Sequence, residues 1–190
     1  MNLNLNKLDP GDMYTQIFRF PDQLKNALDI GMNHHIKIKN TTISGVVIAG
    51  MGGSGIGGEL IKTLTAHSAT VPIEIVKDYS IPFWVGPSTL VICISYSGNT
   101  EETLSCYNQA LVRGAKILGI TTGGKLFARL KKDRCDFIKI PGGNPPRASL
   151  AYLAIPALIY LTDLGLCSKR IKDEIVQSVV FLLEIRESFS

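Results

Sequence analysis

The sequence predicts an α/β fold, a three-layer sandwich of a parallel sheet between helices, on three observations. Apolar runs without alternation recur along the chain, segments of helical length separate them, and glycine- or hydroxyl-rich strings directly follow two of them. A strand covered on both faces needs such an unbroken run, and strand–helix–strand alternation at this spacing produces parallel pairing with crossover helices.

The elements follow in order. Asp12 to Ile30 carries a helical stripe of Tyr14, Ile17, Phe18, Leu24 and Leu28, with an interruption expected at Pro21. Val46–Ala49 reads as the first strand, and Ile73–Val76, Leu90–Ile94, Lys116–Ile120 and Phe137–Ile140 as the next four. Between them Gly55–Ala66, Thr100–Arg113 and Lys125–Lys132 have the length of crossover helices. Two more helical patterns close the chain, Ala148–Leu164 and Ile171–Glu187. The last aligns Ile171, Ile175, Val179, Leu182, Leu183 and Arg186 on one face. Exposed, its Val179, Val180, Leu182 and Leu183 would form an apolar patch that drives association, so a homodimer is expected.

Composition narrows the class. At 190 residues the chain has the size of one domain, and 45% hydrophobic with 19% charged residues is ordinary globular usage. The formal charge of +4 is scattered. Its densest clusters, Lys125 to Arg134 and Lys169 to Lys172, lack interleaved aromatics, so no nucleic-acid partner is expected. Cys93, Cys106, Cys135 and Cys167 form no CxxC pair and have no histidine at ligand spacing, which argues against a metal site and fits a reducing compartment. The start, MNLNLNKLDPGD, is polar and shows no signal-peptide pattern. The longest apolar stretch, Leu150 to Leu161, is too short for a bilayer and includes Pro156. A cytoplasmic protein with no membrane partner is expected.

Two strings carry chemistry. Gly50-Met51-Gly52-Gly53-Ser54-Gly55-Ile56-Gly57-Gly58 follows the first strand and opens a helix, with six glycines in nine residues. Glycines let the backbone approach a ligand closely, and a helix N-terminus favours an anion, so phosphate is the expected guest. Gly50, Gly52 and Gly55 also satisfy GxGxxG, with Glu74 or Asp78 near the end of the next strand, which keeps a dinucleotide such as NAD open. No Gly-Lys-Ser/Thr follows, so a P-loop nucleotidase is not expected.

The second string, Ser95-Tyr96-Ser97-Gly98-Asn99-Thr100-Glu101-Glu102-Thr103, favours a sugar phosphate. Ser95, Ser97 and Thr100 supply three hydroxyls at the carboxyl end of a parallel strand, where such folds bind ligands. A bland reading stands beside it: Asn99 with Glu102, or Ser97 with Thr100 and Glu101, as an ordinary helix cap. His34, His35 and His67 read as surface or capping residues. Glu101 and Glu102 read as partners of the helix dipole.

These strings, with Gly143-Asn144-Pro145-Pro146-Arg147-Ala148-Ser149, resemble the sugar isomerase (SIS) domain, and within it the N-terminal half of bifunctional phosphoglucose/phosphomannose isomerases. The resemblance runs over about Gly45 to Leu164. It implies a five-stranded, flavodoxin-like or Rossmann-like parallel sheet and a dimer with composite active sites. It also implies exchange of fructose 6-phosphate with glucose 6-phosphate or mannose 6-phosphate, without a cofactor. On that likeness Gly52, Gly53, Ser54, Ser95, Ser97 and Thr100 bind substrate and phosphate, and Arg147 is the active-site arginine. Residues 1–44 become a helical extension, 45–165 the SIS domain and 166–190 a C-terminal helix. The family's general base, a glutamate, lies in a second SIS domain with a histidine and a lysine. The sequence reaches Ser190 before the stretch that carries those groups in the family, so the chain by itself is expected to bind hexose 6-phosphates and turn them over poorly or not at all. A non-catalytic domain that senses a sugar phosphate is the alternative of a different class.

Overall fold

The computed structural model describes residues 9–38 and 42–189. The first eight residues of the polar start lie outside them. Five parallel strands, β1 (Gly45–Ala49), β2 (Ile73–Val76), β3 (Thr89–Ile94), β4 (Lys116–Thr121) and β5 (Asp136–Lys139), form one sheet in the order β2-β1-β3-β4-β5. The register pairs Val46 with Ile73 and Leu90, and Leu90 with Lys116. β1 and β3 are fully buried along their length, which is why their sequences are apolar without alternation.

Among the described residues two helices precede the sheet, α1 (Met13–Phe18) and α2 (Phe20–Met32). The break falls at Arg19 rather than at Pro21. Proline lacks an N–H that the first turn of a helix does not use, so Pro21 sits inside the start of α2. After β1 comes α3 (Gly52–Thr65), after β3 α4 (Glu101–Val112), and after β4 α5 (Gly124–Lys132). A short 3-10 turn, Pro146–Ala148, leads into α6 (Leu150–Asp163), and α7 (Arg170–Ile185) runs on into a second 3-10 turn, Arg186–Phe189.

One face of the sheet, with Val46, Ile48, Leu90, Ile92, Leu118 and Ile120, packs against α2, α3, α6 and α7. The other, with Val47, Val91 and Cys93, packs against α4 and α5. The chain therefore winds in opposite directions from β1 and from β3, and the crevice between their carboxyl ends is where ligands of such sheets bind. α6 is buried from Ala151 to Thr162, and α2 crosses it closely where Gly31 lies against Pro156 and Ile159.

The expected patch on the last helix is corrected. Val179 is buried, and Leu182 and Leu183 pack partly buried against the core beneath α2 and α6. The exposed apolar residues of α7 are Val176, Val180 and Phe181. Arg186 is held by Asp22 at 2.9 Å and lies over the Phe18 ring. Of the two roles expected for His34, capping holds and surface does not: its side chain is buried beside Tyr160, and Nδ1 bonds the Gly31 carbonyl at the end of α2. No helix among the described residues is long and apolar enough to cross a membrane. All four cysteines are free; Cys93 faces the core, where burial pushes its thiol well above the ordinary range.

Candidate functional site

The two strings meet at the β1/β3 crevice. The first is helical sooner than expected, because α3 starts at Gly52 rather than Gly55, with Met51 extended as its N-cap. Glycine is a poor helix former, yet packing outweighs propensity: Gly57 lies against Leu153 and Gly58 against Ile48. Among the described residues no side chain caps α3. Ser54, in its first turn, accepts the Tyr96 N–H at 3.3 Å, which ties the first string to the second.

In the second string Ser95 is buried, with Oγ 2.9 Å from Thr100 Oγ1 and accepting the Gly98 N–H at 3.0 Å. Ser97 is exposed and accepts the Asn99 N–H at 3.2 Å. Thr100 is the N-cap of α4 by position, but its hydroxyl faces Ser95 and caps nothing. The ordinary-cap reading therefore fails for Ser97, Asn99 and Thr100 as caps, while Glu101 and Glu102 do stand in the first turn of α4. Asn99 turns away from α4, and its Oδ1 accepts the Lys125 N–H of α5 at 3.1 Å, while Gly98 O accepts the Leu126 N–H at 2.8 Å.

Two helix N-termini without side-chain caps, α3 and α4, thus stand beside the hydroxyls of Ser54, Ser95, Ser97 and Thr100. Backbone N–H groups and the positive end of a helix dipole favour an anion, and hydroxyls can serve its several oxygens. The third member is Arg147, on the turn before α6. A Cβ on Gly53 would lie 3.1 Å from the Pro146 carbonyl and 3.3 Å from Arg147 N, so the arginine turn is packed directly on the first turn of α3. The Arg147 side chain is exposed. All seven residues singled out in the sequence lie on these three adjoining segments.

Several residues that shape the site were not singled out. Tyr96 OH accepts the Asn144 N–H at 3.0 Å, and its carbonyl accepts both the N–H and the hydroxyl of Thr122. Gly98, at φ +71°, packs on Gly123 so tightly that a Cβ would sit 1.9 Å from the Gly123 oxygen. Gln23 of α2 is buried and bonds the backbone on both sides of the α6 start. The Thr121-Thr122-Gly123-Gly124 string after β4 was a visible signal for the second of these contacts. Gln23 was visible only as a polar residue on the apolar side of its helix.

Other titratable groups are engaged elsewhere. Glu59 pairs with Lys77 at 2.8 Å, and that hydrogen bond holds its carboxyl below the usual range. Glu102, and behind it Glu101, raise the pKa of the Tyr79 phenol. Asp78, one candidate for a ribose contact, turns its Oδ1 to the Tyr79 N–H at 2.5 Å. Among the described residues no group of three or more His, Cys, Asp or Glu is placed to hold a metal ion.

Known proteins share this fold and part of its sequence. Residues 43–135 match the family described as SIS domain. A bifunctional phosphoglucose/phosphomannose isomerase of Caldicellulosiruptor bescii is 44% identical over 93% of this chain and 52% of its own length. One from Aquifex aeolicus is 48% identical over 60% of this chain and 36% of its own length. A D-glucosamine-6-phosphate 4-epimerase of Sulfolobus acidocaldarius is 35% identical over 59% of this chain and 35% of its own length. The chain thus spans about half the length, or less, of these curated relatives. The C-terminal domain of glucosamine-fructose-6-phosphate aminotransferase from Francisella tularensis shares the fold, with TM-score 0.66 and 17% identity over 92% of this chain and 54% of that one. The dinucleotide alternative finds no counterpart among these relatives. By its matched segment and its relatives, the chain carries a SIS-domain segment at residues 43–135.

Proposed function

We propose that this chain is the phosphosugar-binding half of an isomerase that exchanges fructose 6-phosphate with glucose 6-phosphate or mannose 6-phosphate. One observation carries the reading: the N-termini of α3 and α4, neither capped by a side chain, flank the hydroxyls of Ser54, Ser95, Ser97 and Thr100. A sugar phosphate has the dianion such a site suits and the hydroxyls that Gly52, Gly53 and Ser54 can meet with backbone and side chain. The relatives' names support the choice, since isomerases and an epimerase of 6-phosphosugars share the segment.

Arg147 has the electrostatic role in this reading. Aldose–ketose exchange moves a proton between neighbouring carbons through an enediolate, and a fixed cation beside the developing oxyanion lowers that barrier. The proton itself needs a positioned base, worth about 10²–10⁴-fold in rate. Glu59 is paired with Lys77, and Glu101 and Glu102 stand in the first turn of α4, so on this reading the base comes from a second SIS domain or a second copy of the chain. The enzyme works in the cytoplasm on this reading.

Titration calorimetry of the 190-residue chain tests it. Fructose 6-phosphate is expected to bind saturably, and Ser95→Ala combined with Ser97→Ala to abolish that binding. Binding of NAD that survives the double substitution would overturn the proposal.

A further inference from the structure

The Arg147 guanidinium has a defined starting point only if its backbone does. Its turn has one neighbour in the first turn of α3, at Gly53, and a second tie through Asn144 to Tyr96. The third comes from outside the matched segment. Gln23, in α2 and 7% exposed, donates from Nε2 to the Ala148 carbonyl at 2.7 Å and accepts the Ala151 N–H at Oε1 at 3.1 Å.

Those two bonds bracket the junction that follows Arg147. Ala148 O belongs to the next residue, and Ala151 N–H is one of the first-turn donors of α6 that no intrahelical acceptor serves. Ser149, the N-cap by position, does not take it; its hydroxyl donates to Pro145 O at 3.1 Å instead. Gln23 therefore caps α6 from another helix and at the same time holds the carbonyl at the end of the arginine turn. A side-chain amide carries a donor and an acceptor side by side in one plane, as this double contact requires.

We infer that Gln23 is a positioning residue for Arg147, through which the N-terminal helices set the oxyanion-stabilising geometry of the site. The inference rests on the proposed phosphosugar reading and adds to it a group in the helical extension. Its consequence is a split: Gln23 governs recognition of the reacting end of the sugar and leaves the phosphate grip alone, because Ser95, Ser97 and Thr100 hang from β3 and α4.

Two probes separate those ends. 5-Phosphoarabinonate carries a carboxylate where the enediolate oxygens form, and inorganic phosphate fills only the head-group site. Gln23→Leu removes both contacts, and Gln23→Glu keeps an acceptor for Ala151 N–H while losing the amide donor. For Gln23→Leu we expect phosphoarabinonate affinity to fall about tenfold, the scale of losing hydrogen bonds to buried backbone groups, with phosphate affinity unchanged. Gln23→Glu is expected to give a smaller loss of the same kind. In an Arg147→Ala background Gln23→Leu should cost nothing further, since the two act through one contact. Additive losses, equal losses for both probes, or no loss in either variant would overturn the inference. So would failure of both variants to fold, judged by circular dichroism, because Gln23 would then serve the fold as a whole. If the wild-type chain binds neither probe, the phosphosugar reading itself fails.

Discussion

Three helices, α3, α4 and α5, start at the carboxyl ends of adjacent parallel strands, yet their N-termini are used differently. In α5 the Lys125 N–H is taken by Asn99 Oδ1 and the Leu126 N–H by Gly98 O, so the loop after β3 itself stops that helix end. In α3 and α4 no side chain among the described residues does so. A helix N-terminus alone says nothing about ligands; which ends the fold satisfies internally, and with what, separates a buttress from a site. Here the buttressed end fixes the shape of the loop that serves the other two.

Breaking the buttress gives the largest expected effect. Gly98→Ala places a Cβ 1.9 Å from the Gly123 oxygen at a φ of +71°, and neither backbone can yield cheaply. A loss of about 3 kcal/mol or more is expected, read from the midpoint of denaturant unfolding, together with loss of fructose 6-phosphate binding. Asn99→Ala removes only the cap on α5 and should cost about 1 kcal/mol, with weakened but measurable sugar-phosphate binding. Tyr96→Phe sharpens the contrast on the other side of the crevice. It deletes the acceptor for the Asn144 N–H and should cost about 1 kcal/mol at most, because that N–H is only partly buried and can turn to water. Its sign on binding follows Arg147: phosphoarabinonate weakens while inorganic phosphate does not.

The same contrast explains what was legible in the sequence. β2 falls on its expected residues, β1, β3 and β4 gain one residue at an end, and β5 slides back by one at both ends; the central strands are plainest, since a strand covered on both faces advertises itself as an apolar run. The start of α3 was not legible, because a glycine run has the local signature of a loop and only contacts with Leu153 and Ile48 make it helical. Ser95, Ser97 and Thr100 could be picked out because they sit in one short string. Gln23 could not: its partner Ala148 is 125 residues away, and no local pattern records a bond of that range. Asn99 shows the opposite failure, a residue with a plausible local cap that the fold uses 26 residues downstream.

A crystal of the chain soaked in fructose 6-phosphate tests the central claim most directly. The phosphate is expected in hydrogen-bond contact with Ser97, Thr100 and the first turn of α4, its sugar running toward Gly53 and Arg147. A phosphate seated at the start of α5 with Asn99 displaced, or a crevice that takes up an adenine nucleotide and leaves the sugar phosphate in solution, would contradict it.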